Sequence, residues 1–205
     1  MVNSNVFEIN LYDSKESVKI KSKTFDLYAY SVYIGNHSIE VEQGDSLWMV
    51  NKDSVSVHRH GVYTSDTLGV VIRGYQCANR MSSFEDISNL PYVNGCSSNQ
   101  LLHPIRPGDP TFQLLHIPPN TVEQKHHVHS TARVVYVYDG EGESVQGQDG
   151  SIIQKLKKGD VIILDKMTPH HFQTKDTHLI VLPLHIFSST SLEFDHPMFN
   201  GTHKI

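Results

Sequence analysis

The sequence predicts an all-β protein, and three observations carry that expectation. Short alternating or β-branched runs recur almost throughout, Gly, Asn, Asp and Pro punctuate them, and no window of helical length keeps a 3.6-residue apolar stripe. With 205 residues, 38% of them apolar and 19% charged, the chain can bury a core and belongs to neither the disordered nor the fibrous class. The net charge of −5 supplies no strong basic field, so neither nucleic acid nor an anionic membrane is an expected partner. Cys77 and Cys96 are too few for a disulfide framework, which points to a reducing compartment. The opening residues lack the charged and apolar regions of a secretion signal, and no apolar stretch approaches a membrane span, so a cytoplasmic location is expected.

Residues 1–75 read as a β-rich segment. Tyr28 to Ile34 and Ser38 to Val41 flank Gly35-Asn36, a pair suited to a tight hairpin turn. Gly44-Asp45 turns the chain into Ser46 to Val50, and Val55 to His60 alternates again. Residues 76–110 read as an irregular connection rich in Asn, Ser, Gly and Pro, with one short helix expected over Ser82 to Leu90, capped by Ser83. Strand signals return over residues 111–187: Phe112 to Ile117, His126 to His129, Arg133 to Tyr138, Ile152 to Leu156, Val161 to Leu164, His170 to Thr174 and His178 to Ile186. Their spacing suits a barrel or sandwich. Residues 188–205 form an extension, expected to pack on the surface or exchange with a partner.

Fourteen histidines invite a metal-site reading, since imidazole is the commonest protein metal ligand. The densest cluster is Gln124-Lys125-His126-His127-Val128-His129, which a strand would split so that His127 and His129 share one face while His126 and Val128 face away. Arg133 follows, at the head of a strand that ends in the glycine-rich turn Asp139-Gly140-Glu141-Gly142. Further on, Gly159-Asp160 opens a run that leads to Pro169-His170-His171. The His-x-His pair, the later glycine, the Gly-Asp turn and the Pro-His step, in that order, resemble the paired motifs of the cupin superfamily.

That resemblance implies a double-stranded β-helix, or jelly roll, over residues 111–187, with residues 1–75 as a degenerate cupin-like half or an accessory sheet. It assigns His127, His129 and His170 as metal ligands. His171 would point to the other side of its strand, and it and His126 are read as imidazoles hydrogen-bonded to neighbours. Where the family's usual glutamate ligand would stand, this chain has Arg133, which stays protonated and cannot ligate. Either three neutral histidines hold a metal that keeps its full charge and open positions, with Arg133 clamping a substrate carboxylate or phosphate, or the metal is lost and the pocket binds an anion. By strand parity Val135 and Val137 share the inward face of Arg133, while Tyr136 and Tyr138 pack against a second sheet or subunit. Gln113, Leu115, Phe172 and Leu182 are further pocket candidates, with core packing preferred for the leucines.

A second His-x-His, His58 and His60, follows Gly44-Asp45 by too long a gap to match the motif and is read as a solvated strand end. His103, His116, His178 and His185 are read as core histidines or supports for ligands. Cys96 is read as structural, and no Gly-x-Ser-x-Gly, P-loop or dinucleotide fingerprint is present. The resemblance implies a metal-dependent enzyme acting on a small anionic metabolite, first an iron dioxygenase of the three-histidine kind, with Arg133 as its catalytic-site arginine. The alternatives are a zinc- or manganese-dependent isomerase, lyase or rearrangement enzyme, with nickel also open as the metal, and a non-catalytic small-ligand-binding or sensor module. It further implies a homodimer formed through the outer face of one sheet. Asp195-His196-Pro197-Met198 looks like a tail of cupins without assigned function and offers no mechanism.

Overall fold

A computed structural model describes residues 10–21, 29–84, 89–106, 108–129 and 131–186. The expected tail beyond residue 187 and residues 85–88 of the expected helix at 82–90 lie outside these residues. The described chain is built of strands: β1 (Asn10–Asp13), β2 (Val18–Lys21), β3 (Tyr30–Ile34), β4 (His37–Val41), β5 (Ser46–Val50), β6 (Ser54–His58), β7 (Gly61–Ser65), β8 (Leu68–Ile72), β9 (Arg80–Ser83), β10 (Leu90–Pro91), β11 (Ser97–Leu102), β12 (Thr111–Ile117), β13 (Arg133–Gln146), β14 (Ile152–Lys157), β15 (Asp160–Leu164), β16 (His170–Gln173) and β17 (Leu179–His185). A single 3-10 turn, Val93–Gly95, is the helical element among the described residues.

Two sandwiches share a wall. In the N-terminal half, a six-stranded sheet in the order β2-β3-β8-β5-β6-β9 faces the pair β4-β7. In the C-terminal half, the order β1-β15-β13-β17-β12-β11-β10 forms one layer, and β13 continues beyond it to pair β14 and β16 in the other. Alternation along each strand supplies three apolar layers. Ile39, Val41, Leu47, Met49 and Val71 fill the N-terminal sandwich. Leu115, Ile117, Val135, Val137, Leu156, Ile162, Leu164 and Val181 fill the C-terminal one. The third and largest layer joins the outer faces of the two main sheets, with Val32, Trp48, Val57 and Val70 on one side and Phe112, Val134, Tyr136, Ile163 and Leu184 on the other. Trp48 stacks obliquely on Phe112 with ring centroids 6.1 Å apart. Burying each such side chain contributes about 1.5–3 kcal/mol, so this seam alone ties the halves firmly together.

The parity expected of β13 is therefore observed: Val135 and Val137 face the barrel interior, and Tyr136 packs against the second sheet. That second sheet is the chain's own N-terminal half. The outer face of the main C-terminal sheet is thus covered within one chain.

Four local expectations are corrected. Gly35-Asn36 does not close a hairpin, because β3 pairs with β2 and β8 while β4 pairs with β7, and the turn carries the chain between layers. Gly35 has φ 79°, and a Cβ there would lie 2.6 Å from the Glu16 carbonyl oxygen, so the corner needs glycine. Residues 76–110 carry three short strands, β9, β10 and β11, within the expected irregular connection, and Ser82 and Ser83 belong to β9, paired with β6, rather than to a capped helix. Strand β1 leaves its own half and pairs with β15, sending Leu11 toward the C-terminal interior and Tyr12 to the seam. Finally, Gly140 and Gly142 do not end β13. The strand runs to Gln146 through an irregularity between Val137 and Asp139, and Gly140, with φ 78°, passes so close to His178 that a Cβ would sit 2.0 Å from its carbonyl oxygen. Glycine here lets one strand bend from one layer into the other.

Candidate metal centre

Three imidazoles meet at one end of the C-terminal sandwich. His127, His129 and His170 present ring nitrogens that all lie within 4.8 Å of one another. His170 opens β16 and is buried, whereas His127 and His129 sit on the preceding loop rather than on the strand expected over residues 126–129. A single antiparallel bridge does what that strand was expected to do: His127 N–H donates to His170 O at 3.1 Å, and His170 N–H donates to His127 O at 2.9 Å. Met167, at φ 61°, then donates its N–H to His129 O at 2.6 Å and fixes the other side of the loop.

The tautomers suit metal binding. His170 Nδ1 lies 2.7 Å from the Thr168 carbonyl oxygen, and His127 Nδ1 lies 2.9 Å from that of Lys125. A carbonyl only accepts, so each Nδ1 carries the proton and each Nε2 keeps its lone pair. The two Nε2 atoms of His127 and His129 stand 2.8 Å apart. That is a hydrogen-bond distance in the absence of a cation, and His129 Nδ1 is buried with no hydrogen-bond partner. Burial first, then the charges of Arg133 and His127, hold the His170 pKa well below its ordinary value, so it is the neutral, ligating form near pH 7. The donor set fits a divalent transition metal: three neutral imidazoles, with no carboxylate in the cluster among the described residues.

A cavity of about 40 Å³ adjoins the trio. Arg133, Val135, Gln113 and Phe172, all expected there from the sequence, line it together with Leu115. Val137 does not. Two residues further along β13 it is fully buried in the interior cluster, too deep to reach the opening, so the inward face continues past the site into ordinary core. Leu182 belongs to the seam between the halves. Arg133 is buried at 4% exposure, and its Nε donates to His185 Nδ1 at 3.1 Å across the paired ends of β13 and β17. His185, which the sequence left as a core or supporting histidine, is therefore a wall of the cavity that aims the guanidinium.

Glu123 is the residue that sequence reasoning missed. It lines the cavity, is 5% exposed, and burial pushes its pKa up to about 7, a rise opposed in part by a Phe172 backbone hydrogen bond and by the Arg133 charge. Gln124, beside it, accepts from Tyr92 Oη at 3.2 Å and places its amide nitrogen 2.7 Å from His127 Nε2.

Of the remaining histidines, His126 and His171 hydrogen-bond to neighbours as expected, whereas His103 is exposed and His116 and His178 are only part-buried, rather than core residues or supports for the ligands. His126 and His171 pair through their Nδ1 atoms at 2.9 Å on the far side of the ligand loop, and His126 Nε2 hydrogen-bonds Gly147 O. His58 stacks on Tyr63 and bonds Ser56 Oγ, while His60 is exposed, so no second metal-binding group forms in the N-terminal half among the described residues. His178 bonds Asp139 at 3.2 Å. Cys96 is buried, and burial raises its thiol to about 12, which makes it structural rather than nucleophilic.

Comparison with known proteins agrees with this geometry. Residues 113–186 match the family model described as cupin domain. Among solved structures, the E. coli protein Ylba superimposes with a TM-score of 0.58 at 10% identity, over 90% of this chain and 93% of that one. A cupin 2 conserved barrel domain protein from Leptotrichia buccalis gives 0.52 at 13% identity, over 89% and 99%. At these identities the likeness is one of fold. The cupin domain match falls on the C-terminal sandwich, and the fold of the described chain is that of cupin-barrel proteins. No curated protein matches it in sequence.

Proposed function

We propose that this protein is a metal-dependent enzyme acting on a small anionic metabolite at the His127, His129 and His170 centre, and that its reaction is an iron-dependent dioxygenation. The convergence of three neutral imidazoles beside a buried arginine carries this reading. A bound divalent ion would supply Lewis acidity and, as iron, redox chemistry with dioxygen, with open positions on the side the histidines leave. Arg133, held by His185, draws a carboxylate into the cavity and orients it with its planar fork. Val135, Leu115 and Phe172 keep the opposite wall apolar and exclude water. We also propose a cytoplasmic protein. No helix among the described residues is long and apolar enough to cross a membrane.

One observation favours a second reading. Glu123, titrating near 7 in the same cavity, is suited to take and return a proton, the work of a zinc- or manganese-dependent lyase or isomerase. Elemental analysis of protein purified without added metal, followed by oxygen uptake with thiols, diketones and hydroxyaromatic acids, separates the two. Iron with substrate-dependent uptake supports the oxygenase. Zinc or manganese without uptake moves the assignment to proton-transfer chemistry, and failure to bind any transition metal at micromolar concentration rejects both.

A further inference from the structure

Gln113 is fully buried, lines the cavity, and both its Oε1 and its Nε2 lack any hydrogen-bond partner. A carboxamide left unsatisfied inside a protein costs free energy that an apolar residue of the same shape would avoid, so its position needs a reason. The register supplies one. Thr111 pairs with His185 and Phe112 with Leu184, which puts Gln113 opposite Pro183, while His185 and Pro183 pair on their other side with Arg133 and Val135. Gln113 and Arg133 thus face the same cavity from two strands apart, about 12 Å between their Cα atoms by ordinary strand spacing. Two extended side chains cover most of that span and leave a gap suited to a small molecule. The cavity of about 40 Å³ holds roughly three water-sized positions, so it takes only a small molecule.

Building on the reading that Arg133 holds a carboxylate, we propose that Gln113 determines specificity by recognising a hydroxyl on the carbon next to that carboxylate, so that the substrate class is a short 2-hydroxy acid. The chemistry of the two side chains sets this choice. Arg133 only donates and binds the carboxylate, whereas Gln113 both donates and accepts, so it is satisfied only by a ligand offering an acceptor and a donor side by side. The carboxylate oxygen accepts a hydrogen bond from Nε2, and the hydroxyl donates one to Oε1. An amine would also donate, but as an ammonium at neutral pH it would bring a further positive charge beside Arg133 and the metal.

Calorimetric titration of the zinc-loaded protein, which does not turn over by redox chemistry, tests this with lactate and propionate, a pair differing in one hydroxyl. Lactate is expected to bind at least about tenfold more tightly than propionate. In Gln113→Leu, and in Gln113→Met, which keeps the length, the preference for lactate should vanish, because both acids lose the Nε2 donor but only lactate loses the Oε1 acceptor, with zinc content unchanged. If the preference for lactate survives both substitutions, or if either variant loses zinc, Gln113 does not read the substrate and the inference is overturned while the metal centre stands. If neither acid binds the wild type and Arg133→Ala changes nothing, the anionic-substrate reading fails and takes this inference with it.

Discussion

The two halves of this chain are both β-sandwiches, yet among the described residues only the C-terminal one gathers a histidine trio. In the N-terminal half the interior is closed by Ile39, Val41, Leu47, Met49 and Val71. In the C-terminal half the corresponding interior stops short of one end, where Gln113, Glu123, Arg133, His170 and His185 replace the apolar layer. The contrast shows that the barrel itself is indifferent to function, and that what makes a site is the set of polar side chains allowed to face inward. Those side chains cost stability unless something pairs with them. The N-terminal half is the ballast: its sheet covers the outer face of the cupin barrel with Trp48 and its neighbours, and it lends β1 to the opposite sheet.

The sharpest way to break the comparison is to remove a ligand on each side. His170→Ala is expected to lower transition-metal affinity by at least about 100-fold, whereas His58→Ala and His60→Ala leave it unchanged, as metal competition measurements would show. A metal loss on the N-terminal side would erase the distinction. Next, Leu47→Ala in the filled half should cost about 2–5 kcal/mol in denaturant unfolding without altering metal stoichiometry. A cost well under that range would show that this interior is not the support described here.

The third test is pH dependence in the metal-free protein. Burial pushes the Glu123 pKa up to about 7 in the fold, from an ordinary carboxylate value of 4.5. Below pH 4.5 both folded and unfolded states hold the proton. As pH rises from there through 7 the unfolded chain gives it up first, so stability falls by roughly 3 kcal/mol and then levels off. Glu123→Gln should flatten that slope, and an unchanged slope would mean the carboxyl is not held neutral by burial. The smallest effect is expected from Gln113→Leu, which should stabilise the ligand-free protein by about 1 kcal/mol because it removes an unsatisfied buried amide. Destabilisation would show that the amide has a structural partner.

Much of this was legible in the sequence because it depends on local periodicity. Alternation announced the strands, parity along β13 sorted Val135 from Tyr136, and the resemblance to the cupin motifs implied the trio of His127, His129 and His170. What was not legible depends on pairing between distant segments. Glu123 lies among polar loop residues with no local mark of burial; only the packing of Phe172 and Arg133 around it encloses the carboxyl. His185 gains its role because β17 pairs with β13 at Arg133, and β1 could not be seen to cross into the far sheet from its four residues. Gly35-Asn36 carries the turn chemistry of a hairpin, but the strands beside it find better partners elsewhere.

The central claim is that the trio in the C-terminal half binds a transition metal. Elemental analysis of the purified wild type beside a His127→Ala, His170→Ala double variant tests it most directly. The structure predicts one equivalent of iron, zinc, manganese or nickel per chain in the wild type and essentially none in the variant, with both proteins folded. A wild type free of such metal after reconstitution, or a variant that keeps its full equivalent, would contradict it.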